Sequence, residues 1–310
     1  MIKIYSAPLQ GYTDAAWRNA HETIFGGVDA YFSPFVRIER GEFRNKDIKD
    51  IEPLNNKVMH FVPQIIASEE DELRRLTDLV IEKGYNEIDI NMGCPFPLIT
   101  RKYKGCGILP YPDKVRAIMN VMQDYKGIEF SVKMRLGLED KDEWKNILPI
   151  LNDTHLKSVT LHPRIGRQQY KGDVDMDSFA SFYDECKLPL IYNGDIKKID
   201  DIEKISKEFP LLDGIMIGRG LLANPSLAYE YKNGINMPDK ELYNKIIEMH
   251  SFLFDYYSNT LQGESQILNK MKTFWEYLLP DMDKKIHKAI KKSSSLNKYL
   301  TEIRFLKNLY

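Results

Sequence analysis

The segment Glu87–Pro95 joins a strand to a cysteine whose thiol could take part in acid–base chemistry. Ile88 and Ile90 alternate with polar neighbours, which is the period-two pattern of a β-strand. Met92-Gly93-Cys94-Pro95 follow directly. Because glycine permits unusual dihedrals and proline fixes its own φ, we expect a stiff corner that exposes the Cys94 thiol. With an ordinary pKa of about 8.5 the thiol would be mostly protonated at pH 7, so it could donate a proton.

Polar or glycine-rich clusters follow most of the other predicted strands as well. In a parallel α/β barrel the C-terminal ends of the strands meet on one face, and active sites are built there. One such cluster would be uninformative, but a whole series of them predicts a functional rim. The clusters are Ala7–Gly11, Gln64, Asn91–Cys94, Lys133 with Arg135, His162–Arg164, Asn193–Asp195 and Gly218–Gly220.

The last two clusters favour a phosphate site. Loops after strands 7 and 8 of a barrel commonly bind phosphate through backbone N–H groups and a helix N-terminus. Asn193-Gly194-Asp195 and Gly218-Arg219-Gly220 supply glycines for close approach and an arginine for charge. A phosphorylated cofactor or substrate is therefore expected across the barrel mouth.

Three further side chains have more than one interpretation. Lys133 could form a Schiff base or hold negative charge on a cofactor ring. His162 could donate to a carbonyl, act as an acid or merely cap its strand. Gln64 offers both a donor and an acceptor to an amide-like ring edge.

Eight strands, most of them followed by a helix, are predicted in the first 230 residues. Connections of this kind are parallel and right-handed, and eight of them fit a closed (β/α)8 TIM barrel. No G-x-G-x-x-G follows the first strand, which argues against an open dinucleotide-binding sheet. Residues 34–57 are expected to form an irregular surface excursion. The predicted strands are Lys3–Ala7, Asp29–Ser33, Val58–Ile66, Asn86–Asn91, Ile128–Met134, Ser158–Leu161, Leu188–Tyr192 and Gly214–Ile217.

A break at Asn233-Gly234 and Met237-Pro238 divides the predicted barrel from an all-helical region. Beyond it, apolar residues recur at helical spacing in two stripes. We therefore expect a catalytic barrel domain over residues 1–234 and a small helical domain over residues 239–310. The stripes are Ile267, Met271, Phe274 and Leu278, and then Leu296, Leu300, Ile303 and Leu306.

Charge and composition narrow the class of protein. The net charge is -1, but residues 281–310 hold eight Lys or Arg against three Asp or Glu, or +5, which leaves -6 for residues 1–280. The basic end suggests a polyanionic partner.

Three cysteines are too few and too irregularly spaced for a disulfide framework or a zinc site. No apolar run approaches the roughly 20 residues of a membrane span, and no signal peptide is recognised. We expect a cytoplasmic monomer without a membrane segment.

These motifs together resemble the flavin-dependent tRNA-dihydrouridine synthases over essentially the whole chain. Each motif is weak alone, but their order and spacing agree, and the helical C-terminal region lies where that family has one. The matching pieces are Ala7–Asp14 with Arg18, Gln64, Asn91–Pro95, Lys104–Gly107, Val132–Arg135, His162 with Arg164, Tyr170 with Gly172, Asn193–Ile196 and Gly218–Gly220.

The resemblance implies a cofactor, a reductant and a catalytic acid. Reduced FMN would deliver a hydride to C6 of a uridine, NADPH or NADH would reduce the flavin, and Cys94 would protonate C5. Leu9 stands where the family usually has methionine, and Cys106 adds a second thiol in the segment that follows Cys94. The FMN-binding residues implied are Pro8, Leu9, Gln10, Gln64, Lys133, His162, Asn193, Gly194, Asp195, Gly218 and Arg219.

The same resemblance implies tRNA as the substrate. A base inside folded tRNA must be flipped out to enter such a pocket. Asn91 is near enough in sequence to bind the uracil edge, and Arg101 and Lys104 could contact nearby phosphates. The basic 281–310 segment, which includes Lys288 and Lys292, is the expected backbone cradle. The segment from Cys94 to Gly107 is expected to move when tRNA arrives.

Three other functions compete with this interpretation. A small-molecule flavoenzyme of the dihydroorotate or dihydropyrimidine type would use the same barrel, but it would not need a basic helical region. A Schiff-base lyase acting through Lys133 would need no flavin. A non-enzymatic RNA-binding protein would not need the series of polar clusters.

Overall fold

The computed structural model describes residues 1–307 and contains the predicted barrel. The strands are β1 (Lys3–Ser6), β2 (Ala30–Phe32), β3 (Ile38–Glu39), β4 (Glu42–Phe43), β5 (Phe61–Val62), β6 (Gln64–Ile65), β7 (Glu87–Met92), β8 (Glu129–Gly137), β9 (Ser158–Ile165), β10 (Leu190–Tyr192) and β11 (Gly214–Ile217). Nine of them form one parallel sheet, in the order β5-β2-β1-β11-β10-β9-β8-β7-β6. Its two edge strands, β5 and β6, are separated along the chain only by Pro63, so one interrupted strand closes the barrel and leaves eight strand positions.

Helices follow the barrel strands and continue as the predicted helical C-terminal region. The first helix is capped at its N-terminus, since the Asp14 side chain accepts a hydrogen bond from the Trp17 N–H at 3.2 Å. The helices are α1 (Ala15–Ile24), α2 (Asn45–Ile51), α3 (Glu70–Glu82), α4 (Pro97–Thr100), α5 (Pro112–Met122), α6 (Trp144–Asn152), α7 (Met176–Glu185), α8 (Ile199–Glu208), α9 (Arg219–Ala223), α10 (Leu227–Asn233), α11 (Asp239–Thr260), α12 (Glu264–Phe274), α13 (Lys284–Lys292) and α14 (Leu296–Lys307).

The barrel interior is apolar on one side and polar on the other. Strands β1, β2, β5, β10 and β11 contribute one buried apolar cluster that includes Tyr5, Phe32 and Met216. On the opposite side β6, β7 and β8 place Gln64, Asp89 and Ser131 next to one another in register. Side chains alternate between the two faces of a strand, so Ile88 and Ile90 of β7 pack instead in the main core outside the barrel. The polar side of the interior lies directly beneath the Cys94 corner.

The helical region packs against the β1–α1 side of the barrel. The Tyr257 hydroxyl of α11 donates to the Asp14 carboxylate, at 2.9 Å from Oδ1, and Lys270 of α12 forms an ion pair with the same carboxylate. Tyr277 places its ring edge-on to Tyr12, with 5.3 Å between centroids. Both predicted apolar stripes are directed inward, because Ile267, Met271, Leu278, Ile303 and Leu306 are buried.

The break between the two regions coincides with an interruption in secondary structure. Helix α10 ends at Asn233, and Gly234 caps it in the left-handed conformation at φ 64°. Helix α11 begins at Asp239. The assignment of residues 1–234 and 239–310 to two domains stays a prediction. Within residues 1–307 no helix is both long and apolar enough to cross a membrane.

The excursion over residues 34–57 is not irregular, contrary to expectation. It contains the β3–β4 hairpin, helix α2 and a short 3-10 turn at Pro53–Asn55. Arg18 of α1 is fully buried beneath it and donates to the Asp50 carboxylate at 3.1 Å and to the Asn56 side chain at 2.6 Å. These hydrogen bonds join residues more than 30 positions apart. No local sequence pattern reports such tertiary interactions.

We expect Arg18→Ala to destabilise the fold by about 3–5 kcal/mol, because it leaves the mostly buried Asp50 carboxylate without its cation. The Arg18 guanidinium also lies 4.7 Å from the centroid of the Phe61 ring, and the substitution removes this packing too. Urea unfolding monitored by circular dichroism measures the change. Arg116→Ala, at an exposed position on α5, is the matched control and should shift the free energy of unfolding by less than about 0.5 kcal/mol. Equal midpoints for the two variants would contradict this role of Arg18.

Candidate active site

A cavity of about 400 Å³ opens at the C-terminal ends of the barrel strands. Every residue predicted to bind the cofactor lies along its wall, and Asn91 and Cys94 lie there too. Its lining also includes Phe35 from the β2–β3 connection and Tyr277 from the helical region. The cavity wall therefore contains the following predicted positions: Pro8, Leu9, Gln10, Gln64, Asn91, Cys94, Lys133, His162, Asn193, Gly194, Asp195, Gly218 and Arg219.

The corner that carries Cys94 is fixed by side-chain hydrogen bonds. The Asn91 Oδ1 atom accepts the backbone N–H groups of Gly93 at 3.1 Å and Cys94 at 2.9 Å. Arg135 Nε donates to the Gly93 carbonyl at 2.9 Å. The predicted stiff corner is therefore present, and Cys94 is partly exposed at the cavity wall.

The Cys94 thiol is protonated at neutral pH. Burial raises its pKa, and this effect outweighs a backbone N–H contact from Phe96 and the charges of Arg135 and Lys133, which lower it. The opposing cations are engaged elsewhere, Arg135 with backbone carbonyls and Lys133 with the side chain of Asn193. A protonated thiol at the wall of a cavity has the state that a general acid requires.

The segment between Cys94 and Gly107 is tied to the corner at its far end. The Cys106 N–H and Sγ donate to the Cys94 carbonyl at 3.1 and 3.3 Å. Gly105 has a φ of 59°, and a Cβ there would lie 2.4 Å from the Cys94 carbonyl oxygen, so only glycine fits. Gly105, Cys106 and Gly107 at this end are buried, and the expected movement of the segment stays a prediction. Burial raises the pKa of Cys106 to about 12, which leaves this second thiol unreactive.

Lys133 lines the cavity, and the pKa of its ammonium group is lowered. Its Nζ donates to Asn193 Oδ1 at 2.7 Å, and Asn193 Nδ2 in turn donates to the Met216 carbonyl at 2.7 Å. Burial, and secondarily the charge of Arg135, lowers the pKa of Lys133 to about 8. The ammonium group is thus still mostly charged at pH 7, and an anionic group in the cavity would stabilise it further.

His162 is neutral and has a defined tautomer. Burial and the surrounding cations lower its pKa well below the usual value. Arg164 Nη1 lies 3.1 Å from His162 Nε2. A guanidinium can only donate, so Nε2 accepts and the ring proton resides on Nδ1. His162 can therefore offer an N–H to a carbonyl in the cavity without adding charge.

The loops after β10 and β11 form the most strongly charged end of the cavity. Asp195, at a left-handed φ of 37°, accepts from Arg164 Nη1 at 3.1 Å and from Arg219 Nη2 at 2.9 Å. Burial raises the pKa of Asp195, but these two arginines together lower it below its usual value. A Cβ on Gly220 would lie 2.1 Å from the Ile196 carbonyl oxygen, so this glycine lets α9 pack directly against the Asp195 loop.

The predicted basic contacts to substrate lie away from the cavity wall. Lys104 is mostly buried and forms an ion pair with Glu72 of α3. Arg101 is exposed just after α4, and Lys288 and Lys292 are exposed on α13. Their contacts with substrate remain predictions, and Lys104, with its ion pair, is the least available of the four.

Two tyrosines of the site, Tyr170 and Tyr277, received no role from the sequence. Arg135 and Tyr170 line the cavity, and two guanidinium groups lie near the Tyr170 ring, at 5.5 Å (Arg135) and 4.6 Å (Arg219) from its centroid. Arg135 follows Lys133 by two positions on β8, so both lie on one face of the strand, in agreement with the cluster predicted there. Tyr277 belongs to a distant segment, and no sequence signal connects it to the barrel.

The residues present fit FMN. The cavity volume lies within the range of about 300–1,000 Å³ that is usual for ligand sites. One end offers Arg219 and the glycine-containing loops to a phosphate. The middle offers Lys133 and the Nδ1–H of His162 to the polar edge of a ring system. Leu9 and Met216 add apolar surface.

Comparison with known proteins agrees with the motifs. The family model for dihydrouridine synthase matches residues 5–307. The tRNA-dihydrouridine synthase B of Pasteurella multocida is 27% identical over 73% of this chain and 67% of its own. The tRNA-dihydrouridine(16) synthase of Neisseria meningitidis is 28% identical over 77% of this chain and 74% of its own.

Solved structures support the barrel independently. Morphinone reductase superposes with a TM-score of 0.54 at 11% identity, over 77% of this chain and 88% of that one. The old yellow enzyme from Trypanosoma cruzi superposes with a TM-score of 0.53 at 11% identity, over 78% of this chain and 91% of that one. At this identity the likeness establishes the fold alone. The match of the family model over nearly the whole chain establishes more, and this chain belongs to the dihydrouridine synthase family of FMN-dependent oxidoreductases, which form dihydrouridine in tRNA.

Proposed function

We propose that this protein reduces the C5=C6 bond of one uridine in tRNA and that Cys94 donates the proton to C5. The observation that carries the proposal is the position of Cys94 at the cavity wall, on a corner whose backbone is held by Asn91 and Arg135. Burial raises the pKa of its thiol and so favours the protonated form. When bound, FMN supplies the hydride that C6 accepts. The remaining tasks belong to the protein: it binds the cofactor, admits one base and keeps the thiol protonated.

Lys133 and His162 are proposed to hold the polar edge of the flavin ring. Lys133 is anchored by Asn193 and burial lowers its pKa to about 8, so an anionic ring beside it would raise that pKa and stabilise the ammonium form. His162 presents a neutral ring whose Nδ1 carries the proton. Gln64 has both ends of its amide engaged with protein, at Asp89 and Asn91, and keeps one N–H for the cofactor.

Asn91 is proposed to contact the uracil only through its second N–H. Its Oδ1 holds the corner and its other N–H donates to Gln64 Oε1 at 2.8 Å. The uracil edge would therefore meet a donor rather than an acceptor at this position. Arg135 and Tyr170 complete the proposed substrate side of the cavity.

We expect Arg219→Ala to weaken FMN binding by about 10–100-fold, because a hydrogen bond from a charged donor contributes about 1.5–3 kcal/mol. The substitution also leaves Asp195 with one arginine instead of two beside the phosphate. Fluorescence titration of FMN into flavin-free protein measures the dissociation constant. Arg167→Ala is the matched control, since that exposed side chain pairs with Glu139 outside the cavity. Similar dissociation constants for the two variants would remove Arg219 from the cofactor site.

Transfer RNA from a strain that lacks this protein tests the proposed activity in the cell. Nucleoside mass spectrometry and position mapping should show the loss of dihydrouridine at one position, restored by the wild-type gene and not by a Cys94→Ala allele. An unchanged dihydrouridine profile would refute the proposal.

We further propose NADPH or NADH as the reductant, a monomer as the active form, and the cytoplasm, where the tRNA resides, as the location.

A further inference from the structure

A buried carboxylate lies beneath the catalytic corner and takes no part in hydride or proton transfer. Asp89 of β7 is fully buried in the polar side of the barrel interior. Its Oδ2 accepts from Gln64 Nε2 at 2.6 Å, and its Oδ1 accepts from Ser131 Oγ at 2.7 Å. Two hydrogen bonds from neutral donors do not replace the hydration of a carboxylate, so burial at this position costs stability. A residue that costs stability inside a barrel calls for a functional explanation.

Hydrogen bonds connect Asp89 to the backbone of Cys94 in one continuous relay. Gln64 donates to Asp89, and Gln64 Oε1 accepts from Asn91 Nδ2 at 2.8 Å. Asn91 Oδ1 then accepts the N–H groups of Gly93 and Cys94. We call this series, Asp89–Gln64–Asn91–Cys94, the corner relay.

The charge of Asp89 gives the corner relay a single direction. A carboxylate can only accept, so Gln64 must turn its nitrogen toward Asp89 and its oxygen toward Asn91. Asn91 must then turn its nitrogen toward Gln64 and its oxygen toward the corner. The backbone N–H groups at the corner can only donate, and they require this same orientation. Asp89 at one end and the corner N–H groups at the other therefore require the same orientation of the Gln64 and Asn91 amides. In this one arrangement every donor in the relay faces an acceptor.

We propose that Asp89 is a positioning residue for proton donation, which orients the amides of Gln64 and Asn91 and through them holds the Cys94 corner. This role rests on the proposed function of Cys94. A neutral amide at position 89 could present either its oxygen or its nitrogen to Gln64. Ser131 would not choose between them, because a hydroxyl both donates and accepts. In the reversed arrangement, the Asn91 nitrogen would face the N–H groups of Gly93 and Cys94, and the corner would open.

Asp89→Asn tests the proposal in the FMN-bound protein with two readouts. The first is the rate constant of dihydrouridine formation at saturating tRNA, which we expect to fall by about tenfold or more with little change in KM, since small displacements of a reacting group are costly. The second is the rate of Cys94 alkylation by iodoacetamide as a function of pH, followed by peptide mass spectrometry with Cys186 as the internal reference. We expect that profile to shift at Cys94 and not at Cys186.

Ser131→Ala is the matched control, because it removes the other hydrogen bond to Asp89 and keeps the charge. It should lower stability without changing the alkylation profile of Cys94. Should Asp89→Asn fail to fold, Asn91→Ala interrupts the corner relay at its cavity end and should shift the same profile. If both readouts of Asp89→Asn, or of Asn91→Ala in its place, match those of wild type or of Ser131→Ala, the proposal is wrong. Because alkylation reports on the thiol itself, this result is separable from a finding that Cys94 is not the acid.

Discussion

The Cys94→Ala variant is expected to bind FMN normally and to form dihydrouridine about 10²–10⁴-fold more slowly, which is the usual contribution of a general acid. Cys94 lines the cavity and burial raises the pKa of its thiol, so in the wild-type protein the thiol is protonated at pH 7 and is proposed to supply the proton that C5 needs. Anaerobic mixing of the reduced protein with tRNA, followed by the return of the flavin absorbance, measures the step in a single turnover. Activity should decline only at pH values above the raised pKa of the thiol, where the acid is deprotonated.

Cys186→Ala is the control for this experiment. Cys186 follows α7, donates weakly to the Leu188 carbonyl at 3.6 Å and is absent from the cavity wall. The control removes a partly buried thiol of the same chain without touching the site. If Cys94→Ala and Cys186→Ala turned over equally fast, another group would have to deliver the proton.

Charge reversal on α13 is expected to have the second largest effect. The double variant Lys288→Glu with Lys292→Glu should lower tRNA affinity at every ionic strength and reduce the slope of log K against log salt by about 2, or about 1 for each phosphate that a lysine no longer neutralises. The two lysines are exposed and four residues apart, so they lie on one face of the helix. Filter binding or anisotropy between about 50 and 200 mM salt measures both quantities, because log K falls linearly with log salt.

Lys204→Glu with Lys207→Glu provides the same change of charge on the barrel helix α8, where both lysines are also exposed. This control separates a local interaction from a general effect of net charge. Identical salt slopes for the two double variants would show that α13 does not dock the tRNA backbone.

The fold was predictable because the strand and helix patterns are local. All eight predicted strands are present, and the one that differs most, Val58–Ile66, is interrupted at Pro63 because proline cannot donate to the ladder. The hairpin and helix of residues 38–51 were missed. The end of the helix is held by hydrogen bonds from the buried Arg18 to Asp50, and those bonds are tertiary. Patterning reports which face of an element is buried but not which distant group buries it.

The site was predictable only in part, for a reason specific to barrels. Positions such as Lys133 and Arg219 follow their strands directly, so topology alone brings them to one rim. Asp89 was hidden by the same alternation that identified its strand. A polar residue between isoleucines indicates solvent in an open sheet, but in a closed barrel that second face points into the interior. The neighbours of Asp89 became apparent only from the strand register.

The measurement that tests the central claim most directly is the amount of dihydrouridine formed by the purified, FMN-loaded protein with NADPH. Unmodified tRNA should be supplied in parallel with free uridine, uracil and orotate at matched concentrations, and the nucleosides quantified by mass spectrometry. We predict dihydrouridine at one position of the tRNA and negligible reduction of the small molecules. Reduction of a free pyrimidine as efficient as that of tRNA, or an unaltered tRNA, would contradict the account.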